Sequence, residues 1–583
     1  MKSFLAGFFG TIAAIVLLFI VFIIIIVSAI PKEKPVTVKS NSVLKLSFNF
    51  DIPERSPKNP FEGFDGSGAA KPVGLKEIME SIEKAKSDDN IKGIYLDMSI
   101  ISPGFATVEE IRNALLDFKK SGKFVVSYGE IYSQKAYYLA TAADKIYLNP
   151  NGLIEFKGLS AQIMFFKGLL DKLEVEAQIF KHGKFKSAVE PFFLDKMSEA
   201  NRQQVTTYIN SLWDHVLNGI QQTRGIAVAD LERMAGNLTI QNAGDCVEHK
   251  FADDTLYYDQ VVDRLKELVK LDKKKELTFI ALNRYVKTPA KKFKTALVKN
   301  KIAVIICQGS IESGEGDEST IGSEGTAKAI REARTDSAVK AIVLRVNSPG
   351  GSALASDVIW REVVLTRQVK PVVVSMGDVA ASGGYYIACA ADRIFAQPNT
   401  ITGSIGVFGV LPNLQNFYKN KLGITFDTVN TNRYSDLGRL NRPVTEAESL
   451  VIQNGVEDVY RQFIKRVADG RKKTTAEIDS IGQGRVWSGT DALRIGLVDQ
   501  LGGINDAIKY AADLAKVKEY KLIWLPKQKE PFEEFMKQLS GEESASAAIR
   551  KELGEQYEHY RQLQQVLKMK GIQARLPYEL FIY

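Results

Sequence analysis

Histidine and cysteine are scarce in this chain of 583 residues, which contains four histidines and three cysteines. Cys246, Cys307 and Cys389 lie in apolar or helical contexts. Their spacing suits neither a metal site nor a disulfide framework, so we interpret them as buried small hydrophobic residues. The histidines form no pair with metal-ligand spacing, and none lies in a convincing catalytic motif. The sequence therefore indicates neither a metal nor a cofactor, and it does not favour a hydrolase with a histidine base.

A concentrated basic surface is also missing. The formal net charge of +8 is spread over the whole length, and no basic motif is interleaved with aromatic residues. The composition therefore does not point to nucleic acid binding. Hydrophobic residues make up 45% and charged residues 25% of the chain, which is ordinary for a globular protein. A chain of this length is expected to form two or more domains.

One long segment near the N-terminus lacks charge altogether. Phe4 to Ile30 contains no charged residue, and a helix of this length can cross the ~30 Å hydrocarbon layer of a bilayer. A cleaved signal peptide is the alternative, because Val27-Ser-Ala29 resembles a cleavage site, but signal sequences have an apolar region of only about 7–15 residues. We expect an uncleaved transmembrane helix within residues 1–31, and the flanking charges do not decide its orientation.

Long stretches of the chain repeat each other at an offset of 248 residues. The segment A-K-S-D-D-N-I-K-G-I-Y-L-D from Ala85 matches A-R-T-D-S-A-V-K-A-I-V-L-R from Ala333. At the same offset, A-Y-Y-L-A-T-A-A-D from Ala136 matches G-Y-Y-I-A-C-A-A-D from Gly384. Alternating helical and strand patterns predict βαβ units and a parallel sheet. A period this long indicates two whole domains, so we predict an α/β chain built by tandem duplication.

The composition along the chain divides it into five segments. We predict an anchor over 1–31, a first repeat over 40–286, a lysine-rich linker over 287–301, a second repeat over 302–526 and a tail over 527–583. The tail has an amphipathic helical pattern from Ser544 to Met569 and an apolar end. It is either a helix packed on the body with a frayed end, or an arm that docks on a neighbouring subunit.

Ser382 is the first candidate for chemistry. It lies between a predicted buried strand, Pro371–Met376, and a helical segment that begins with Gly383 and Gly384. A hydroxyl exposed at a helix start, beside free N–H groups, suits a serine nucleophile. The alternative is an ordinary helix N-cap. The first repeat has Gln134 at the equivalent position, so it has kept the scaffold without the candidate nucleophile.

The motif Asn347-Ser-Pro-Gly-Gly-Ser352 follows another predicted strand. Gly350 and Gly351 would present backbone N–H groups at the start of a helix, where an anion can be held. The alternative is a tight strand-to-helix turn. The first repeat has only Gly104 here, so the paired glycines belong to the repeat with the candidate nucleophile.

Lys186 is the candidate base. A lysine accepts a proton near neutral pH only if its pKa, ~10.4 in water, falls by about three. Four apolar neighbours could exclude water from it: Phe185, Val189, Phe192 and Phe193. Three basic neighbours add positive potential that also lowers the pKa: Lys181, His182 and Lys184. The alternative is a solvated basic loop. The second repeat has Tyr434 at the equivalent position, so each repeat has what the other lacks, which favours one composite site.

These motifs resemble those of bacterial signal peptide peptidase A, also called protease IV, in its long tandem-repeat form. The resemblance covers nearly the whole chain after the N-terminal segment. The motifs that carry it are K-S-A-V-E-P-F from Lys186, N-S-P-G-G-S from Asn347, A-A-S-G-G-Y-Y from Ala380, T-G-S-I-G-V-F-G from Thr402 and G-R-V-W-S-G from Gly484.

The resemblance implies a ClpP/crotonase-like fold for each repeat. It implies that Ser382 is the nucleophile, that Lys186 is the general base and that Ser404 orients the lysine. It also implies an oxyanion hole formed by the N–H groups of Gly383 and of Gly350 or Gly351.

The same resemblance implies a membrane-anchored serine endopeptidase that degrades cleaved signal peptides after secretion and needs no cofactor. It further implies a homotetramer at the bacterial inner membrane, with its bulk on the periplasmic, extracytoplasmic side. Two alternatives stay open. One is a crotonase-type acyl-CoA enzyme, and the other is a non-catalytic membrane scaffold.

Overall fold

The computed structural model describes residues 36–57, 72–289, 298–528, 571–576 and 581–582, together with positions 7, 10, 11, 14 and 17. Apart from those five positions, the anchor expected over 1–31 lies outside the described residues. The helical pattern expected over 544–569 lies outside them entirely. Within the described part of the chain, no helix combines the length and the apolar character needed to cross a bilayer.

The first half of the chain alternates helices and strands, as its sequence pattern predicts. Its elements are β1 (Ser42–Leu46), α1 (Leu75–Ser87), β2 (Ile91–Asp97), α2 (Phe105–Lys119), β3 (Phe124–Tyr132), α3 (Gln134–Ala140), β4 (Lys145–Ile154), β5 (Ala161–Gln162), α4 (Lys167–Leu173), β6 (Glu176–His182), α5 (Glu190–Phe193), α6 (Glu199–Arg224), α7 (Val228–Gly236), α8 (Ala243–Glu248), β7 (Asp254–Thr255), α9 (Tyr258–Leu268), β8 (Phe279–Ala281) and α10 (Leu282–Tyr285).

The second half repeats this alternation and adds two strands from the C-terminal tail. Its elements are β9 (Lys301–Gln308), β10 (Ser310–Glu312), β11 (Thr320–Gly322), α11 (Ser323–Thr335), β12 (Val339–Ser348), β13 (Gly350–Ser352), α12 (Ala353–Arg367), β14 (Val372–Ala381), α13 (Gly383–Ala388), β15 (Arg393–Ala396), β16 (Ile401–Gly403), β17 (Val407–Asn413), α14 (Glu446–Arg471), α15 (Thr475–Ile481), β18 (Val486–Ser488), α16 (Gly489–Arg494), β19 (Gln500–Leu501), α17 (Ile504–Leu514), β20 (Lys521–Leu525), β21 (Gln573–Arg575) and β22 (Phe581–Ile582).

Each half builds one mainly parallel sheet. In the first sheet the strand order is β7-β4-β3-β2-β1-β8, and in the second the central order is β14-β12-β9-β20. The order β3-β2-β1-β8 in the first half therefore corresponds to β14-β12-β9-β20 in the second. Strands buried on both faces are continuous apolar runs, as in β9, where six successive residues are buried. The prediction of an α/β chain with parallel sheets is confirmed.

Helices pack on these sheets and form separate apolar cores. Ile94 and Leu115 are fully buried in the core of the first half, and Leu344 and Val363 are fully buried in that of the second. All three cysteines are free and buried, which confirms their interpretation as small core residues.

A third sheet contains strands from both halves, in the order β11-β10-β13-β21-β17-β6. Strand β6 belongs to the first repeat, and it pairs antiparallel with β17 of the second, from His182 opposite Val407 to Glu176 opposite Asn413. Because of this pairing, the loop that follows β6, which contains Lys186, lies against the second repeat.

Buried polar contacts also hold the two repeats together. The Arg345 guanidinium of the second sheet lies 2.8 Å from the carboxylate of Glu54 and 2.7 Å from that of Glu110. These three side chains are almost completely buried. The Asp378 carboxylate accepts hydrogen bonds from the hydroxyl of Thr107 at 2.5 Å and from its backbone N–H at 2.9 Å. Such directional contacts fix the orientation of one repeat against the other.

Candidate active site

Ser382 lies at the junction of β14 and α13 in an unusual backbone conformation, with φ 54° and ψ −112°. Such a conformation costs a non-glycine residue about 1–3 kcal/mol. Its N–H donates to the carbonyl of Gly403 at 2.8 Å. Although Ser382 begins a helix, its hydroxyl makes no capping hydrogen bond. By contrast, Ser133 at the start of α3 caps that helix in the ordinary way. The N-cap alternative for Ser382 is therefore wrong.

The Ser382 hydroxyl instead faces Lys186. The Nζ of Lys186 lies 2.9 Å from the Oγ of Ser382. It also lies 3.0 Å from the Oγ of Ser404 and 3.2 Å from the carbonyl oxygen of Ser404. All three residues are completely buried. The structure thus brings one residue of the first repeat into contact with two residues of the second.

The surroundings of Lys186 disfavour its charged form. Burial lowers the pKa of the Lys186 ammonium well below its ordinary value of 10.5, because a buried charge loses its hydration. Desolvation alone drives this direction, so the positive potential expected from neighbouring basic residues is not needed. The Glu190 carboxylate is occupied elsewhere, accepting hydrogen bonds from Ser198 at 2.6 Å and Asn201 at 2.9 Å.

Apolar side chains from both repeats exclude water from the amine. Val189 is fully buried, and Phe408 of β17 packs beside it. The Phe408 ring centroid lies 6.0 Å from the Nζ of Lys186. Phe192 and Phe193 pack against the same cluster. Three of the four apolar neighbours expected from the sequence therefore belong to this wall, which also uses a phenylalanine from the other repeat.

Two glycines allow the lysine to reach the serine. A methyl group on Gly484 would stand 2.6 Å from the Cα of Lys186, and one on Gly406 would stand 3.2 Å from its Cδ. Gly484 also has φ +79°, a conformation that favours glycine. Gly406 lies in the motif T-G-S-I-G-V-F-G and Gly484 in the motif G-R-V-W-S-G. The sequence does not show that both glycines contact Lys186.

The candidate oxyanion donors lie close together. The N–H of Gly350 donates to the Ser348 hydroxyl at 3.1 Å, so it is already engaged. A methyl group on Gly383 would stand 3.1 Å from the backbone nitrogen of Gly351. Gly383 is the first residue of α13, and the N–H groups of a first helical turn have no partner within the helix. The geometry therefore favours Gly383 and Gly351 as the pair of donors.

The positions equivalent to Ser382 and Lys186 in the opposite repeats have other roles. The Gln134 side chain accepts hydrogen bonds from the N–H groups of Lys157 and Gly158 and donates to the carbonyl of Gly158. It thus stabilises the turn that follows β4. Tyr434, which matches Lys186 in the second repeat, is 43% exposed. One Ser–Lys pair, and not two, is formed at these positions.

A buried amine whose pKa is lowered by burial, beside a serine hydroxyl and with two N–H donors nearby, can support attack of the hydroxyl on a carbonyl group. This chemistry is that of acyl transfer. No histidine takes part in the contacts among Lys186, Ser382 and Ser404.

Comparison with known proteins agrees with this chemistry. The model of a family described as peptidase family S49 matches residues 117–272 and 365–518, once in each half. Protease 4 of Salmonella typhi is 41% identical over 460 residues, which cover 77% of this chain and 73% of that protein. The chloroplastic serine protease SPPA of Arabidopsis thaliana is 34% identical over 516 residues, which cover 87% and 75% of the two chains.

These matches define a serine peptidase. More particularly, the chain belongs to peptidase family S49, with the family's domain present twice. The resemblance to protease IV in its tandem-repeat form is thereby confirmed. ClpP1 from Listeria monocytogenes superposes with 18% identity and a TM-score of 0.24, covering 35% of this chain and 94% of that one. That score is too low to establish a common fold, so the ClpP/crotonase-like fold stays a prediction.

Proposed function

We propose that this chain is a membrane-anchored serine endopeptidase in which Ser382 is the nucleophile and Lys186 the general base, on two ClpP/crotonase-like repeats. One observation carries the proposal. The Nζ of Lys186 lies 2.9 Å from the Oγ of Ser382, and both atoms are shielded from water. A lysine with a lowered pKa in such contact with a hydroxyl suits nucleophilic catalysis.

In the first step the Oγ of Ser382 attacks the carbonyl carbon of a peptide bond, and the neutral Lys186 amine takes the hydroxyl proton. The new ammonium donates hydrogen bonds to the hydroxyl and the carbonyl of Ser404, which keep it in place. The carbonyl oxygen becomes negative and is stabilised by the N–H groups of Gly383 and Gly351, donors that are already oriented.

In the second step the ammonium of Lys186 donates its proton to the leaving amine as the peptide C–N bond breaks. The N-terminal part of the substrate remains esterified to Ser382. Water then attacks this ester with Lys186 again acting as base, and the hydroxyl of Ser382 is restored. The cycle uses one water molecule per bond and requires neither a metal nor ATP.

The proposed substrates are signal-peptide remnants left in the membrane after secretion. Phe180 and Val407 of the third sheet are buried in an apolar cluster, and this apolar setting beside the site supports an apolar substrate. The uncharged run from Phe4 to Ile30 would keep the site near the bilayer, with the bulk on the extracytoplasmic side. Membrane fractionation with mass spectrometry tests this proposal. We expect the N-terminal segment to be retained on a membrane-bound protein, and a soluble protein beginning near residue 30 would refute anchoring.

We further propose that the chain assembles as a homotetramer. The segment between β17 and α14 exposes large apolar side chains, among them Leu422, Ile424, Phe426 and Val429, of which Val429 is 97% exposed. Contiguous exposed apolar surface is typical of interaction sites. Sedimentation velocity in mild detergent should give the mass of four chains, and a monomer at micromolar concentration would refute the assembly.

The catalytic assignment is tested with three variants of the full chain. Ser382→Ala and Lys186→Met should each lower kcat for peptide hydrolysis by about 10⁴-fold or more. Lys184→Met removes an exposed lysine two residues from the proposed base and should change kcat little. Residual turnover near the wild-type level in Ser382→Ala would contradict the nucleophile assignment.

The two alternative functions give different outcomes in the same assays. Hydrolysis of acyl-CoA thioesters without peptide hydrolysis would indicate the crotonase-type enzyme. Absence of any turnover by the wild-type protein would indicate the scaffold.

A further inference from the structure

A glutamine lies on the buried face of α6, which is otherwise mainly apolar. Gln204 is 2% exposed, and Val205, Tyr208 and Leu212 are buried along the same face. A buried carboxamide loses its hydration and is stable only when its donors and its acceptor are paired. The partners of Gln204 therefore show what its burial achieves.

The amino end of this carboxamide holds the loop that contains Lys186. The Nε2 of Gln204 donates to the carbonyl of Phe185 at 3.0 Å and to the hydroxyl of Ser187 at 2.8 Å. These two residues are the chain neighbours of Lys186. The same Nε2 lies 3.1 Å from the Oδ1 of Asn201 in α6. The chain on each side of the proposed base is thus tied to a helix of 26 residues.

The carbonyl end of the same carboxamide holds the second repeat. Its Oε1 accepts a hydrogen bond from the N–H of Val486 at 3.2 Å. Val486 belongs to β18, which is the edge strand of the second sheet within the described part of the chain. On its inner side β18 pairs with β16, where Val486 lies opposite Gly403. On its outer side, Gln204 takes the place of a neighbouring strand.

Strands β16 and β18 position the two hydroxyl groups that Lys186 contacts. The N–H of Ser404 donates to the carbonyl of Arg485 at 2.7 Å, and the N–H of Ser382 donates to the carbonyl of Gly403 at 2.8 Å. A movement of β18 would therefore move Ser404 directly and Ser382 through Gly403. One carboxamide joins the loop of the amine to the strands that position both hydroxyls.

The hydrogen-bond partners decide which end of the carboxamide faces which repeat. In the reverse orientation, its oxygen would face the carbonyl oxygen of Phe185, and its N–H groups would face the N–H of Val486. Two acceptors or two donors cannot form a hydrogen bond with each other. The observed orientation is therefore the one that both repeats require.

The matching helix of the second repeat carries a valine at this position. Helices α6 and α14 each have 26 residues, and each follows an N-cap side chain, Ser198 or Thr445. Counted from the N-cap, Val451 of α14 matches Gln204, and Val451 is 54% exposed. The buried carboxamide thus belongs to the repeat that supplies the lysine, which favours a role in the site over a role in helix packing alone.

We propose that Gln204 is a positioning residue of the serine–lysine site, which holds the Lys186 amine against the hydroxyls of Ser382 and Ser404 by joining the two repeats. The proposal rests on the proposed roles of Ser382 and Lys186. A carboxamide does not titrate near neutral pH, so Gln204 acts on the reaction through the position of the base. Loss of the carboxamide should slow the chemical step without weakening peptide binding, and it should let water reach the amine.

Kinetics on the full chain test the first consequence. Gln204→Met keeps the length of the side chain and removes both ends of the carboxamide. We expect kcat to fall about tenfold or more with KM unchanged, because small displacements of a catalytic group are costly. A kcat within about twofold of the wild type, against the tenfold loss expected from displacement, would overturn the proposal.

Ser211→Ala is the matched control for these kinetics. Ser211 lies on the same helix, and its hydroxyl donates to that of Ser488 in β18 at 2.8 Å. The control therefore removes another contact between α6 and β18 that does not involve the loop of Lys186, and it should leave kcat unchanged. Equal losses of kcat in Ser211→Ala and Gln204→Met would overturn the proposal, because they would show that any contact between these elements has the same effect.

Ser187→Ala tests whether the carboxamide acts through the loop of the base. This variant removes one hydroxyl from the same network, and it serves as the probe if Gln204→Met does not fold. The loss of kcat in the double variant Ser187→Ala, Gln204→Met should be smaller than the product of the two single losses, because residues in contact do not act independently. A loss equal to that product, or an unchanged kcat in Ser187→Ala, would overturn the coupling.

The pH profile separates positioning from a loss of folded protein. Burial lowers the pKa of Lys186, so access of water in Gln204→Met should raise that pKa toward its ordinary value. The rise of kcat/KM should then move to higher pH, whereas a smaller folded fraction lowers the rate equally at every pH. An unmoved profile in Gln204→Met would overturn the proposal.

Charged groups on the elements around Lys186 are paired with other residues and are the same in every variant. The Glu190 carboxylate accepts a hydrogen bond from Asn201 at 2.9 Å. The Nδ1 of His182 lies 2.6 Å from the carboxylate of Glu457. A difference between the profiles of the wild type and of Gln204→Met therefore reports the amine of Lys186.

A labelling measurement does not depend on turnover. Lys184 is exposed and Lys186 is completely buried, so acetic anhydride should modify Lys184 much faster than Lys186 in the folded protein. In the full chain carrying Ser382→Ala, mass spectrometry gives the ratio of the two rates. Gln204→Met should raise the relative rate at Lys186 severalfold, because local opening exposes the amine, and Ser211→Ala should not.

An unchanged labelling ratio in Gln204→Met would overturn the proposal. If the wild-type protein and every variant lack turnover, the proposed function fails, whereas the labelling ratio still decides whether Gln204 holds Lys186 in place.

Discussion

The backbone of Gly484 lies directly against that of Lys186. A methyl group on Gly484 would stand 2.6 Å from the nitrogen, the Cα and the Cβ of Lys186. Real Cβ atoms do not approach other atoms so closely, so any side chain at position 484 must push Lys186 away. The position of the proposed base therefore depends on a residue that carries no chemistry of its own.

We expect Gly484→Ala to lower kcat by about 10²-fold, since a shift of about 1 Å in a catalytic group costs that much. Gly438→Ala is the matched control. Gly438 has a similar φ of +86° but open space around it, so it has the backbone strain without the collision. Peptide hydrolysis and thermal unfolding of both variants separate the two effects. Equal losses of kcat in both would show that strain, and not contact with Lys186, is responsible.

The rate should depend on pH through the protonation of Lys186. Burial lowers the pKa of this amine well below 10.5, and only the neutral amine can accept the proton of Ser382. We therefore expect kcat/KM for a peptide without ionisable groups to rise with pH through the lowered pKa and then level off well below pH 10.5. A rise that continues to pH 10 would show that the amine has its ordinary pKa and is not shielded.

The same amine should make stability depend on pH. Its pKa is lower in the folded state than in the unfolded chain, so the unfolded chain binds more protons between the two values. The free energy of unfolding therefore rises with pH across that interval. Below the folded-state pKa the buried ammonium is most destabilising.

Lys186→Met removes this contribution. We expect the variant to be more stable than the wild type at low pH, with a difference that shrinks as the pH rises toward 10.5. Urea unfolding at several pH values measures the difference, with Lys184→Met as the exposed control. A difference that does not change with pH would contradict a lowered pKa in the folded state.

Ser404 is expected to hold the lysine in place and not to react. Its hydroxyl oxygen lies 3.0 Å from the Nζ of Lys186, and Ser404→Ala removes that contact while the backbone carbonyl contact at 3.2 Å stays. Loss of one hydrogen bond of about 1–1.5 kcal/mol should lower kcat about tenfold, with KM unchanged. The pH profile should also shift, because the ammonium form loses an acceptor and the pKa of Lys186 falls further. An unaltered pH profile would show that the hydroxyl does not interact with the amine.

The buried Arg345 should matter for stability and not for the chemistry. Arg345→Met leaves the carboxylates of Glu54 and Glu110 buried without their shared cation. Removing one partner of a buried ion pair costs about 3–5 kcal/mol. Arg461→Met breaks an exposed pair with Asp458, whose side chains are 66% and 59% exposed, and should cost little. Denaturant unfolding of both variants checks this contrast, and equal losses would show that the buried cluster is not needed to hold the repeats together.

The sequence was informative wherever the two repeats differ at known equivalent positions. The differences between Ser382 and Gln134, and between Lys186 and Tyr434, predict a composite site from the sequence alone, because the offset of 248 residues identifies the equivalent positions. Periodicity placed the main strands to within a few residues. The strand before Ser382, for example, is predicted over Pro371–Met376 and lies at Val372–Ala381.

Other features depend on contacts between distant parts of the chain and gave no local signal. The choice between Gly350 and Gly351 depends on the hydrogen bond from the Gly350 N–H to the Ser348 hydroxyl. Only the folded structure shows this bond. The three-residue strand Gln573–Arg575 is too short to show a periodic pattern, and its partners lie about two hundred residues away in sequence. Neither of the two expectations for the tail contained it.

The ladder between Glu176–His182 and Val407–Asn413 has a consequence for the history of the gene. On the proposed mechanism, the loop after Glu176–His182 supplies the amine and the other copy supplies the hydroxyl, so neither copy could be deleted, shuffled or released as an independent unit without loss of the activity. The two duplicated halves are therefore expected to evolve as one unit, because a change in either half affects the same proposed active site.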